Sequence, residues 1–135
     1  MPNSPSVQEF LQRNTEWQHD HAAIGTFGER LATGSEGPKV AIVTCADPRC
    51  IPERFLQLNT WDAVVIRNAG SNVKAAMPSL LAIDSIVGLR EIMVINHTDC
   101  GALAWRDSIL KAGFQQRVPA LSHEIDAMDF GEITS

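Results

Sequence analysis

The sequence predicts an α/β fold of three layers, with a central, mainly parallel β-sheet and flanking helices. Three observations carry that expectation. Short apolar runs recur at Val40–Thr44, Ala63–Ile66 and Ile92–Ile95. A segment of helical length, Met77–Leu89, separates the second run from the third. Polar residues of reactive type cluster just past the carboxyl end of each run. The runs lack polar alternation and are rich in β-branched residues, as strands buried on both faces are. Strand, helix and strand in that order is the βαβ pattern, which implies parallel pairing and right-handed crossovers.

The remaining elements follow from local signals. Residues 1–5 (MPNSP) read as a loose start. Val7, Phe10, Leu11 and Asn14 share a helical spacing and Ser6 suits an N-cap, so a short amphipathic helix is expected over 6–18. That helix could cover the core or contribute to a dimer contact. Gly34–Pro38 breaks the chain before the first apolar run. Leu80, Leu81, Ile83, Ile86 and Val87 supply the apolar side of the crossover helix, with Gly88 as its stop. A further helix is expected over Ala102–Lys111, ending at Gly113, and a last one from Leu121 to about Met128 before a frayed tail.

Composition narrows the function. A chain of 135 residues is expected to form one domain over 1–135, and 44% hydrophobic content suffices for a core. The net charge is −5 with no basic cluster, which disfavours nucleic acid and anionic membrane as partners. No apolar run reaches the roughly 18–20 residues of a membrane span. Met1–Arg13 carries no basic segment followed by an apolar stretch, so a secretory signal is not expected and a cytoplasmic address is. Three cysteines in such a chain argue for metal or thiol chemistry rather than a disulfide framework.

Cys45, Asp47 and Arg49 follow the first run, Arg67 and Asn68 the second, and His97, Asp99 and Cys100 the third. Ligands of open parallel sheets bind beyond the carboxyl ends of the strands, so the three clusters can converge on one site. Two thiolates and an imidazole are the donors zinc prefers, and three protein ligands leave one position open. The plainer alternative is that Cys45 and Cys100 are small buried hydrophobes. Cys50 falls outside the pattern and reads as a packed thiol. Asp47 and Arg49, two residues apart, can lie on one side of an extended loop. Arg49 would then keep the carboxylate ionised, ready to orient a water or to swing onto the metal. The alternative is a salt bridge that only ties down the loop.

Cys45-Ala-Asp47-Pro-Arg49, Arg67-Asn-Ala-Gly70 and His97-Thr-Asp-Cys100-Gly101 together resemble the three-part signature of β-class carbonic anhydrases, in the short branch found in microbes and fungi. The likeness runs over about 39–111. It implies Zn2+ held by Cys45, His97 and Cys100, with Asp47 as a fourth ligand in a closed form of some members. It implies a catalytic pair of Asp47 and Arg49, and Ala69, Gly70 and Gly101 near the substrate pocket. The implied reaction is reversible hydration of carbon dioxide to bicarbonate by a homodimer or higher homo-oligomer.

The chain departs from the signature's usual form in places. Pro48 sits inside the dyad, Cys50 replaces an aliphatic residue, and Thr60-Trp61-Asp62 stands where Gly-Asp is common. Relative to the family the chain is C-terminally shortened, ending at Ser135. Turnover is therefore expected to be low although zinc binds well. Sibling hydrolases of carbonyl sulfide or carbon disulfide share these motifs, and a catalytically silent zinc-binding protein is the other alternative. Thiol-redox chemistry is disfavoured because no C-x-x-C pair is present.

Overall fold

The structure is a computed structural model and describes residues 4–134. Of the loose start expected at 1–5, only Ser4 and Pro5 fall within that range, and neither is helical. The chain divides into two compact units, Met1–Glu36 and Gly37–Ser135.

The first unit holds α1 (Val7–Asp20) and α2 (Phe27–Ala32). Both open on a capping box, in which a hydroxyl and a carboxylate satisfy two orphan N–H groups reciprocally. In α1 the Ser6 hydroxyl accepts from the Glu9 N–H, and the Glu9 carboxylate accepts from the Ser6 N–H at 2.6 Å. Thr26 and Glu29 do the same for α2. The Ser6 cap was legible in the sequence, whereas α2 was not, having only six residues and no apolar periodicity.

The second unit is built on three parallel strands, β1 (Val40–Cys45), β2 (Val64–Asn68) and β3 (Glu91–Ile95), in the order β2-β1-β3. Register aligns their carboxyl ends: Cys45 lies opposite Asn68, and Thr44 opposite Ile95. The central parallel sheet with flanking helices is the expected fold class. The central strand is the buried one, with Ala41, Ile42, Val43 and Thr44 essentially inaccessible.

Between β2 and β3 runs α4 (Val73–Val87); the four-residue α3 (Pro52–Phe55) lies earlier, after β1. Ala76 and Leu80 of α4 close over Ala41 and Val43, with Ile66, Val73 and Leu89 around them. Burying a side chain such as Leu80 contributes about 1.5–3 kcal/mol. The helix begins four residues before the expected Met77, because the Asn72 side chain accepts from the Ala75 N–H at 3.0 Å and starts it there. Gly88 ends it as expected, in a left-handed conformation with its N–H on the Asp84 carbonyl.

Two expectations are corrected. β3 is not buried on both faces: Ile92, Met93 and Val94 are each about half exposed. Strand order explains this, since β3 pairs with β1 on one side and is the sheet's edge on the other. The helix expected over Ala102–Lys111 is instead a 3-10 turn, Gly101–Ala104, followed by α5 (Asp107–Arg117). The extended backbone of Trp105 and Arg106 separates the two. Gly113 lies inside α5, and the stop comes at Val118, which Pro119 forces out of the helical region. A second 3-10 turn, Pro119–Leu121, leads into α6 (Ser122–Asp126), two residues short of the expected end.

Candidate metal centre

Each strand end delivers its polar residues to one place, and the backbone beyond each strand fixes how they point. β1 ends at Cys45, and the chain then turns through Asp47–Cys50, closed by the Cys50 N–H on the Asp47 carbonyl at 2.9 Å. Pro48 is the second residue of that turn, where its locked φ fits. Pro48 therefore pre-forms the loop.

Within the turn Arg49 grips Asp47 bidentately, Nε on Oδ1 and Nη2 on Oδ2, both at 2.9 Å, and its backbone N–H adds a third bond to Oδ1. These bonds hold the Asp47 carboxyl well below the usual carboxylate range and raise the guanidinium above its own. From β2, Arg67 donates to the carbonyls of Cys45 and Asp47, at 3.3 and 2.9 Å, and braces the loop from the next strand. Sequence reading placed Arg67 at the site without a role. Only the parallel register reveals one.

Beyond β3 the chain folds back through Asp99, whose φ of 54° is left-handed, and this turn brings Cys100 beside His97. The Asp99 carbonyl accepts from Arg49 Nη2 at 3.0 Å, tying the third strand's loop to the dyad. The end of β3 is held by two hydroxyls the sequence did not mark: Thr44 and Ser71 both donate to the Ile95 carbonyl.

The donor atoms of Cys45, His97 and Cys100 all lie within 4.8 Å of one another. The two sulfurs are 3.8 Å apart, the separation of two sulfurs each about 2.3 Å from a tetrahedral ion. All three cysteines are free. His97 Nδ1 donates to the Thr98 carbonyl at 3.0 Å, which leaves Nε2 as the ring nitrogen grouped with the two sulfurs. That Nε2 is buried and has no hydrogen-bond partner. A buried nitrogen left unpaired is costly, and a cation would satisfy it.

Electrostatics point the same way. Burial pushes the Cys45 thiol up, but the backbone N–H of Asp47, the His97 ring and Gly70 outweigh it and bring it down to about 7. Cys100 moves upward, from burial and from the neighbouring Cys45 sulfur. Two adjacent thiolates repel, so without a cation one stays protonated. The donor set therefore fits a divalent, thiophilic ion, and zinc is the one it selects.

Acid should release that metal, with a sign set by these shifts. Around neutral pH the metal displaces one proton, from Cys100; below about 7 Cys45 is protonated too, and the Cys45 sulfur also raises the His97 pKa. Zinc affinity is expected to fall by about tenfold per pH unit for each proton displaced, steepening as pH drops through about 7. Competition with a chromophoric chelator of known affinity checks the slope. A pH-independent affinity would contradict it.

Asp47 stands beside this cluster, with Oδ2 3.9 Å from His97 Nε2. Both of its oxygens are engaged by Arg49. A cavity of about 410 Å³ opens on two of the donors, His97 and Cys100, and is walled further by Gly70, Val94, Leu103 and Ile133. Of the three small residues expected near the pocket, Gly70 lines this cavity, and Ala69 and Gly101 adjoin it in the chain. Cys50 is buried and is not one of the grouped donors, although it shares a cavity wall with Arg49 and His97. Val94, Leu103 and Ile133 were not foreseen, because apolar wall residues look like any other core residue in a sequence.

A three-stranded parallel sheet that gathers two cysteines and a histidine at its strand ends defines a class of protein able to hold one metal ion on three donors. The carbonic anhydrase family profile matches residues 40–129. Beta-carbonic anhydrase 1 of Mycobacterium tuberculosis is 39% identical over 92 residues, 62% of this chain and 56% of its own length. The carbon disulfide hydrolase of Saccharolobus solfataricus is 35% identical over 124 residues, 90% of this chain and 58% of its own. The solved carbonic anhydrase from Streptococcus mutans superposes with a TM-score of 0.73 at 28% identity, over 98% of this chain and 75% of that one. The chain belongs to the β-carbonic anhydrase family. It spans little more than half the length of these two curated relatives.

Proposed function

We propose that this protein catalyses the zinc-dependent, reversible hydration of carbon dioxide to bicarbonate. The observation that carries the reading is the ion pair of Asp47 and Arg49 standing 3.9 Å from the unpaired His97 Nε2. Cys45, His97 and Cys100 would hold the ion. Zinc supplies Lewis acidity, lowering the pKa of water from about 15.7 towards about 7.

The chain's own residues do the rest. Arg49 keeps Asp47 ionised, so the carboxylate is a permanent hydrogen-bond acceptor. Each carboxylate oxygen accepts more than one bond, which leaves Asp47 able to orient a water while gripped by Arg49. An acid held this far below neutrality retains no proton, so Asp47 positions, and the released proton leaves to solvent. The apolar wall of Val94, Leu103 and Ile133 suits a small uncharged substrate. A swing of Asp47 onto the metal, giving a closed form, would require Arg49 to release it.

Stopped-flow hydration on the zinc-loaded protein tests the reading, with carbonyl sulfide and carbon disulfide assayed alongside. Acceleration of carbon dioxide hydration is expected. Full zinc occupancy without acceleration would overturn it in favour of a silent zinc protein. The likeness to the Saccharolobus hydrolase supports sulfide hydrolysis as a second reading, which the same assay separates.

We also propose a homodimer. The half-exposed Ile92 and Met93 of the edge strand and the exposed Val7, Phe10, Leu11 and Trp17 of α1 are apolar surfaces that a second copy would cover. Light scattering is expected to report a dimer, and a clean monomer at micromolar concentration refutes it. No described helix is long and apolar enough to cross a membrane. A cytoplasmic address accords with three free thiols, and cell fractionation tests it.

A further inference from the structure

The segment 129–134 is tied down at several points, although it contains no helix or strand. Its anchors come from the starts of two helices. The Asp107 carboxylate accepts from the Phe130 N–H at 3.1 Å, and the Glu132 carboxylate accepts from the Asp107 N–H at 3.0 Å. Glu132 thereby caps α5 from 25 residues away, satisfying an N–H that no neighbouring side chain serves. Arg106 pairs with the same Glu132 at 3.4 Å, and Lys74 with Asp129 at 2.6 Å.

Gly131 presses against Asn72, the cap of α4, so closely that a Cβ there would lie 2.1 Å from the amide nitrogen. Its φ of +72° also favours glycine. Asn72 has little freedom to yield, because its side chain caps α4 and its backbone is bonded to Asn68.

These anchors set down one side chain, Ile133. It lies over Gly70, where an added Cβ would meet Ile133 Cδ1 at 3.4 Å. Ile133 and Leu103 border the metal-facing cavity of about 410 Å³ on one side. The same two residues border an outer cavity of about 340 Å³, lined further by Arg106, Glu132 and Thr134. Ile133 and Leu103 thus stand where an apolar chamber at His97 and Cys100 meets a second cavity lined by Arg106 and Glu132.

We propose that Ile133, held in place by the 129–134 strap, determines substrate size at the metal centre, admitting small uncharged molecules and refusing larger ones that would need both cavities. This inference rests on the zinc-hydratase reading and names a specificity-determining residue for it. Ile133 acts by volume: trimming it to alanine would thin the wall that it shares with Leu103 between the two cavities and leave Cys45, His97 and Cys100 in place.

The test uses zinc-loaded, full-length protein and two probes with the same metal-binding group, methanesulfonamide and 2-naphthalenesulfonamide, titrated by calorimetry. Wild type is expected to bind the small probe and discriminate against the large one. Ile133→Ala is expected to tighten the large probe by on the order of tenfold or more, with the small one changed by less than about twofold. Gly131→Ala displaces the strap while keeping Ile133, and the same change of ratio is expected. Ile133→Val should stay close to wild type. A large-to-small ratio unchanged in both Ile133→Ala and Gly131→Ala overturns the proposal. Failure of the small probe to bind any zinc-loaded form, wild type included, overturns the hydratase-site reading beneath it, a result distinguishable from the first.

Discussion

Cys45→Ser is expected to strip the protein of zinc, while Cys50→Ser leaves near one zinc per chain. Losing even a residue that only supports a metal ligand costs about 10–100-fold in affinity, and losing a thiolate donor should cost more. Cys45 is the donor whose thiol is drawn down to about 7, so it is already partly thiolate at neutral pH before any metal arrives. A serine hydroxyl does not ionise there and leaves the Cys100 sulfur and His97 Nε2 as two donors only. Cys50 is as buried as Cys45 yet is not one of the grouped donors, which makes it the matched control for packing. Metal analysis by mass spectrometry after dialysis reads the outcome. Full occupancy in Cys45→Ser would overturn the ligand assignment, and equal losses in both variants would show that packing is responsible. His97→Ala and Cys100→Ser are expected to follow Cys45→Ser.

Asp47→Ala is expected to keep its zinc and lose activity by about 10²–10⁴-fold, the range for a positioned proton-handling group. The Asp47 side chain reaches the metal's three donors only through its distant approach to His97 at 3.9 Å, and the backbone N–H that supports the Cys45 sulfur survives in alanine. What it supplies is a fixed negative acceptor, and alanine removes that alone. Arg49→Ala should also retain zinc and lose on the order of a hundredfold, because the carboxylate loses its fork and shifts from its position. Arg49→Lys restores the charge without the bidentate geometry, so it should recover only part of the loss. Zinc content and stopped-flow rates on the same preparations check this. Wild-type turnover in Asp47→Ala would reduce the pair to a structural tie.

The structure bears on the expectation of low turnover. Pro48 raised concern in the sequence because it restricts the loop that places Asp47 and Arg49. In the turn it occupies the position that proline favours, and Arg49 reaches Asp47 with three hydrogen bonds. The restriction pre-forms the pair. The cost falls on any motion of Asp47 towards the metal.

Much of this protein was legible because it is local. The Ser6 cap, the Gly88 stop and the β-branched runs of β1 to β3 depend on neighbours three or four residues away, or on residue chemistry alone. Two cysteines, a histidine, an aspartate and an arginine announce metal and proton chemistry by type, and their positions at strand ends announce convergence. Other features depended on strand order and distant partners, which periodicity does not encode. Only tertiary structure placed β3 at the edge with Ile92, Met93 and Val94 exposed, and set Cys45 and Cys100 with sulfurs 3.8 Å apart across 55 positions. It alone gave Arg67 the Cys45–Asp47 loop to brace, and brought Glu132 and Ile133 back to α5 and the metal cavity. Donor chemistry belongs to single residues and can be read one at a time. The walls and braces that aim those donors come from contacts between segments far apart in the chain, and they exist only once it has folded.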